Sequence, residues 1–197
     1  MPISKKGRIK RGDPPSKAIK RHNYRSALPF LERDFQNRCA YSMQHVSRCG
    51  GTMEVDHFDP RLKRKLIQDY SNLFLASPHC NRSKRDTWPT AAQLRGGIRF
   101  LNPCEEHDYG IHIFEDSETH ELIGVTPAGK WQIRVCGLNA NHLIDERRRR
   151  AQFKRLLVSE GPIQVGLDFW QCVELSKVLR EETSMLIPEI PAPQTPS

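Results

Sequence analysis

An aspartate and a histidine stand side by side at Asp56-His57. Asn72 follows fifteen residues beyond the histidine, and Asn81 and Lys84 lie a further nine and twelve residues on. These residue types suit hydrolysis of a phosphodiester, which needs an activated water, a cation against the phosphate oxygens and stabilisation of the leaving oxygen. His57 suits the first task, because an imidazole titrates near neutrality and is neutral often enough to take a proton from water. Asp56 and Asn81 offer a carboxylate and an amide carbonyl, hard oxygen donors that favour Mg2+ or Mn2+ over a thiophilic ion. Two protein ligands leave room for water and substrate phosphate, which is how Mg2+ usually binds. Lys84, about one helical turn beyond Asn81, can contact phosphate or the developing charge. Arg82 on the same segment points elsewhere and is a weaker candidate.

These groups need a strand and a helix to carry them. Met53-Glu54-Val55 reads as a strand leading into Asp56-His57-Phe58-Asp59-Pro60, and Pro60 should end it. Neighbours on a regular strand face opposite ways, so Asp56 and His57 address one phosphate only if the strand ends or bulges at residues 57–60. A basic loop over residues 61–71 precedes the apolar run Asn72-Leu73-Phe74-Leu75, then a short helix around residues 81–84, closed by Trp88-Pro89. Upstream, Leu28, Leu31 and Phe35 repeat at helical spacing with Pro29 in the first turn, which predicts a helix ending near Arg38. Residues 39–55 read as turns and short strands around Gly50-Gly51. Downstream, residues 111–115, 122–125 and 131–135 read as three strands of a small antiparallel sheet, with turns at Asp116-Ser117 and Pro127-Ala128-Gly129. Helices are expected at about 142–159 and 163–182, separated by Gly161-Pro162.

Three blocks in order, Glu54 to Pro60, Asp69 to Leu73 and Pro78 to Lys84, resemble an HNH endonuclease motif spanning roughly residues 39–89. The resemblance implies an α+β fold with a ββα-metal core, and one divalent ion bridging a non-bridging phosphate oxygen and the leaving oxygen. It also implies that Asn72 is not a ligand but pins the intervening loop and orients the base. Many proteins of this type carry two Cys-x2-Cys pairs around a structural zinc. Here the four positions read Cys39, Ser42, Ser77 and Cys80. A hydroxyl is a poor zinc ligand, so the serines argue against a stable site, and a chain of this length can bury a core without a metal. His45, Cys49 and His79 do not match a finger spacing.

The chain of 197 residues has 31 Lys+Arg against 23 Asp+Glu, a formal charge of +8. Residues 1–25 hold nine of the basic groups and one acid, Asp13, and the remainder is balanced. A basic arm on a neutral body suits a polyanionic partner through counterion release. Lys5, Lys6, Arg8, Lys10, Arg11, Lys17, Lys20 and Arg21, with Arg82, are the candidate nucleic-acid contacts, on an arm expected to be extended or disordered until bound. The reading excludes a transmembrane protein, since no run approaches the roughly 18 apolar residues of a spanning helix. No signal-peptide core follows Met1, so a cytoplasmic, bacterial location is expected. Six cysteines are too sparse for a disulfide scaffold.

The expected organisation is a basic arm over 1–25, a nuclease core over 26–95, an α+β region for docking or specificity over 96–187, and a Pro-rich tail over 188–197. His22, His107, His112, His120 and His142 are read as surface or core residues, Cys104-Glu105-Glu106-His107 as loop or core, and the Arg147 to Arg150 run as a solvated helix face. The resemblance extends to small HNH nucleases of bacterial anti-phage systems of the Septu, Zorya or retron-associated type, which implies DNA as substrate and an ATPase or sensor protein as partner. The competing readings are a non-catalytic nucleic-acid-binding module on the same scaffold, and an RNase or toxin.

Overall fold

A computed structural model describes residues 7–13, 23–63 and 69–159, with side chains as far as Gln152. Lys5, Lys6, Lys17, Lys20, Arg21, His22, the expected helix at 163–182 and the Pro-rich tail lie outside the described residues. A 3-10 turn, Tyr24–Ala27, runs into helix α1, Leu28–Asp34, with Pro29 in its first turn. The helix stops short of the expected Arg38 because Gln36 and Asn37 both take positive φ, at 52° and 55°, which ends the right-handed repeat. Leu31 and Phe35 are nonetheless buried, as their spacing requires.

Strand β1, Glu54–His57, pairs antiparallel with β2, Leu73–Ala76, with His57 opposite Leu73 and Asp56 opposite Phe74. Every residue of β2 is buried. Helix α2, Pro78–Lys84, follows at once. The Ser77 hydroxyl accepts from the Cys80 amide, and Pro78 takes a first-turn position where its missing N–H costs nothing. Two strands and a helix lying across them make a ββα unit, and the molecule as a whole is α+β. A short helix α3, Ala91–Arg95, absent from the expectations above, begins at a capping box between Thr90 and Gln93.

Strands β3, Ile113–Glu115, and β4, Leu122–Gly124, form a second antiparallel pair. The Asp116 carboxylate organises their turn by accepting from Glu118 N, Thr119 N and the Thr119 hydroxyl. Residues 131–135 are not the third strand. They belong to helix α4, Pro127–Val135, capped by the Thr126 hydroxyl on Gly129 N. The apolar-polar alternation misleads because Gln132 is buried, its side-chain oxygen accepting from Leu101 N at 2.8 Å. Gly129 lets the helix close down, since a Cβ there would sit 2.2 Å from the His112 carbonyl oxygen. Helix α5 covers Asn141–Ser159, near the expected span.

The buried apolar residues form one cluster that runs from Ile9 through Leu31, Phe74 and Phe100 to Leu138. Within residues 7–13, Gly7 and Ile9 are buried in this packing, and Arg8 and Arg11 are half-buried against it. Ile9 N donates to Pro103 O at 2.8 Å. Arg8 makes a two-pronged pair with Asp108, both contacts at 2.9 Å, and donates to Ala40 O at 2.8 Å. Arg11 lies over the rings of Phe35, Tyr70 and Phe74, at 5.2, 5.2 and 4.8 Å, and donates to Tyr70 O and Leu73 O. In Arg8 and Arg11, two of the expected nucleic-acid contacts, protein acceptors and aromatic faces occupy the guanidiniums.

Candidate active site

Residues two apart on a strand share a face, and residues three apart on a helix do too. Glu54 and Asp56 of β1 accordingly meet Asn81 and Lys84 of α2. Asn81 Nδ2 donates to Glu54 Oε2 at 2.6 Å. Lys84 Nζ lies 2.9 Å from Asp56 Oδ2 and 3.2 Å from Oδ1, and donates to the His57 carbonyl oxygen at 2.8 Å. The Tyr41 hydroxyl donates to Asp56 Oδ2 at 2.5 Å. Asp56 is 5 % exposed and Lys84 is 0 % exposed. Burial pushes the Asp56 carboxyl above its ordinary range, and the nearby Lys84 charge and the Tyr41 hydrogen bond oppose that push without cancelling it.

Lys84, expected to contact phosphate, is placed inside the core. Its ammonium, sealed from solvent, has carboxylate and carbonyl partners inside the core, so its work is to hold Asp56 and the end of β1 in place. Asp56 of β1 and Asn81 of α2 are in separate pairings, the acid with Lys84 and Tyr41 and the amide with Glu54.

His57 is the last residue of β1. Its ring packs edge-on against Tyr24, with centroids 4.8 Å apart, and the residue is 4 % exposed. Beside this contact opens a cavity of about 420 Å³, whose lining includes Tyr24, Arg25, Thr52, Glu54, Val55 and Asn81. Tyr24 touches both the imidazole and that space.

Asn72 clamps the loop after β1 in both directions. Its Nδ2 donates to Asp59 O at 3.0 Å, its Oδ1 accepts from Asp59 N at 2.8 Å, and its own carbonyl accepts from Phe58 N. Asp59 in turn caps the 3-10 turn Pro60–Leu62 and pairs with Arg61. Burial would raise the Asp59 carboxyl, but the hydrogen bonds and charge of Arg61 outweigh it and hold it below the usual carboxylate range.

Cys39, Ser42, Ser77 and Cys80 gather in the buried loop ahead of β1 and the start of α2. Ser42 N donates to Cys39 Sγ and Cys80 N to Ser77 Oγ. The Cys80 thiol, hydrogen-bonded to Cys39 and buried, is pushed well up. Two thiols and two hydroxyls are a weak set for zinc. The loop is tied instead by Arg8 on Ala40 O and the Tyr109 hydroxyl on Tyr41 O. Cys49 donates to Val46 O and Gly51 O, and the His79 ring pairs with Gly137 O, so neither joins this group.

Lys10 and Arg82 are exposed. Arg147 is buried, 2 % exposed, and donates to His120 O and Leu138 O, which corrects the solvated-face reading for that residue, while Arg148 pairs with Asp145 at the surface. Glu106 pairs with Arg99 and with His112.

Among the described residues, no group of three or more His, Cys, Asp or Glu is placed to hold a metal ion. The oxygen donors of Glu54, Asp56 and Asn81 on one face of the ββα unit are nevertheless chemically suited to a hard divalent cation, which fills its shell with water and phosphate. Glu54, Tyr41 and Tyr24 were not singled out from sequence. Only Glu54 left a signal there, its two-residue offset from Asp56.

Residues 38–87 match the family model described as HNH endonuclease. That segment holds the ββα unit and each of Glu54, Asp56, His57, Asn72, Asn81 and Lys84. Comparison with curated proteins and with solved structures returns no match. The match supports a nuclease, which would act on nucleic acid, and HNH nucleases generally use a divalent metal ion. No helix among the described residues is long and apolar enough to cross a membrane.

Proposed function

We propose that this protein is a metal-dependent endonuclease that hydrolyses DNA phosphodiester bonds. The observation that carries the reading is the joining of an acid-histidine strand and an amide-bearing helix in one ββα unit, within the segment that matches the HNH family. Asp56 and Asn81 would hold the ion, Mg2+ or Mn2+ by the hardness of their oxygens. When bound, the ion supplies charge neutralisation on the phosphate and on the leaving oxygen.

The chain's own residues do the rest. His57 takes the proton from the attacking water. Its carbonyl is fixed by Lys84, and the loop beyond it by Asn72, so the ring's origin is rigid on both sides. Tyr24 must swing aside for the imidazole to meet water, a movement of one ring on a one-turn element. Lys10 and Arg82, both exposed, are suited to backbone phosphates.

The covering of His57 by Tyr24 favours a second reading, a binding module without catalysis. Supercoiled plasmid incubated with Mg2+, with and without chelator, separates the two. Nicking that needs the metal and disappears in His57→Ala supports the enzyme, whereas binding without nicking supports the module. Matched RNA in the same assay tests the RNase or toxin reading. A role in bacterial anti-phage defence, in the cytoplasm beside an ATPase or sensor protein, completes the proposal and rests on the motif resemblance.

A further inference from the structure

We propose that Glu54 is a further holder of the divalent ion, acting with Asn81 in the lining of the cavity beside β1. The inference rests on the nuclease reading and adds to it a residue that the motif does not assign.

Charge comes first. A divalent cation needs uncompensated negative charge as well as oxygen lone pairs. Asp56 supplies little of it, because the Lys84 ammonium sits 2.9 Å from one carboxylate oxygen and Tyr41 donates to the same atom. A cation approaching Asp56 would also face the Lys84 ammonium across the carboxylate, and like charges so close repel strongly wherever water is scarce. Glu54 makes no ion pair among the described residues, and it accepts instead from the neutral Asn81 amide.

Geometry comes second. Asn81 Nδ2 is committed to Glu54 Oε2 at 2.6 Å. An amide held by its nitrogen has its oxygen directed away from that hydrogen bond, and the carboxylate keeps a second oxygen, Oε1. Both residues line the cavity of about 420 Å³, large enough for a hydrated ion and a phosphate, while Asp56 is absent from its lining. Glu54 is also half-buried where Asp56 is sealed. The strand period that sends Asp56 to Lys84 therefore sends Glu54 to Asn81 and the cavity on the same face.

The test is Mn2+ binding to the full chain, followed by electron paramagnetic resonance of the unbound ion, for wild type, Glu54→Gln and Asn81→Ala. Glutamine keeps an acceptor for Asn81 Nδ2 and removes only the charge. Glu54→Gln should weaken Mn2+ binding by on the order of 10- to 100-fold, the range seen when groups supporting a metal site are removed, with an unchanged circular dichroism spectrum. Asn81→Ala should weaken it at least as much. Should Glu54→Gln fail to fold, Glu54→Asp replaces it, because the shorter carboxylate withdraws from Asn81 and the same weakening is expected. Wild-type affinity in a folded Glu54 variant overturns the inference while leaving the nuclease reading intact if the wild type nicks plasmid. Absence of both Mn2+ binding and nicking in the wild type overturns the two together.

Discussion

Replacing Lys84 with methionine tests the interior of the site. The side chain is fully buried, and its ammonium serves both Asp56 oxygens and the His57 carbonyl while lying 5.4 Å from the Phe100 ring. Methionine nearly conserves the volume, so the cost comes from leaving the Asp56 carboxylate buried with Tyr41 as its remaining donor. Breaking a buried pair by removing one partner costs about 3–5 kcal/mol, a large part of the roughly 5–15 kcal/mol that holds a domain folded. In urea, with a slope of about 2 kcal/mol/M, the midpoint should fall by about 2 M. Adding Asp56→Asn removes the orphaned charge, so the double variant should be more stable than the two single effects predict when added, by about 0.5–3 kcal/mol. A phosphate-binding lysine would behave otherwise: Lys84→Met would keep wild-type stability, weaken DNA binding and reduce the salt slope of that binding by about 1. Unfolding curves that overlay those of wild type, together with such a change in slope, would refute the buried-pair account.

Three further outcomes are expected. Arg11→Ala removes two charge-assisted hydrogen bonds and three aromatic contacts, and should cost about 2–3 kcal/mol in chemical denaturation while sensitising residues 7–13 to limited proteolysis. Tyr24→Ala uncovers the imidazole, so the rate at which diethyl pyrocarbonate modifies His57, followed by peptide mass spectrometry, should rise severalfold, and an unchanged rate would show that other groups do the covering. The Asp59 carboxyl should titrate below the ordinary carboxylate range by NMR and return upward in Arg61→Ala. Because the folded value lies below the unfolded one, the stability this pair contributes is present above the unfolded pKa and fades as pH falls through the folded pKa.

Only part of the ββα unit is legible from local signals. Pro60 marks the end of β1, whereas the apolar run at residues 72–75 carries no strand assignment, α2 begins at Pro78 ahead of the helix expected around residues 81–84, and the unit as a whole comes from the motif resemblance. The same locality explains the misreadings. Trp131 to Val135 alternates like a strand, and nothing nearby reveals that Gln132 is buried to meet Leu101 N, thirty-one residues away. The basic count of residues 1–25 is a property of composition, whereas the acceptors that claim Arg8 and Arg11 come from residues 40, 70, 73 and 108.

The chemistry divides along the same line. Spacing alone established which residue types are present for phosphodiester hydrolysis, and it placed Asp56, His57, Asn81 and Lys84 on a strand and the helix that follows. Only the packing of α2 across β1 decided that Lys84 faces inward to Asp56 and that Asn81 turns to Glu54. The physical reason is that a strand has two faces and a helix many, and which of them meet is settled by what else must be buried. Here that is the aromatic cluster of Phe35, Phe74 and Phe100, whose members lie far apart in the chain and meet only in the folded core.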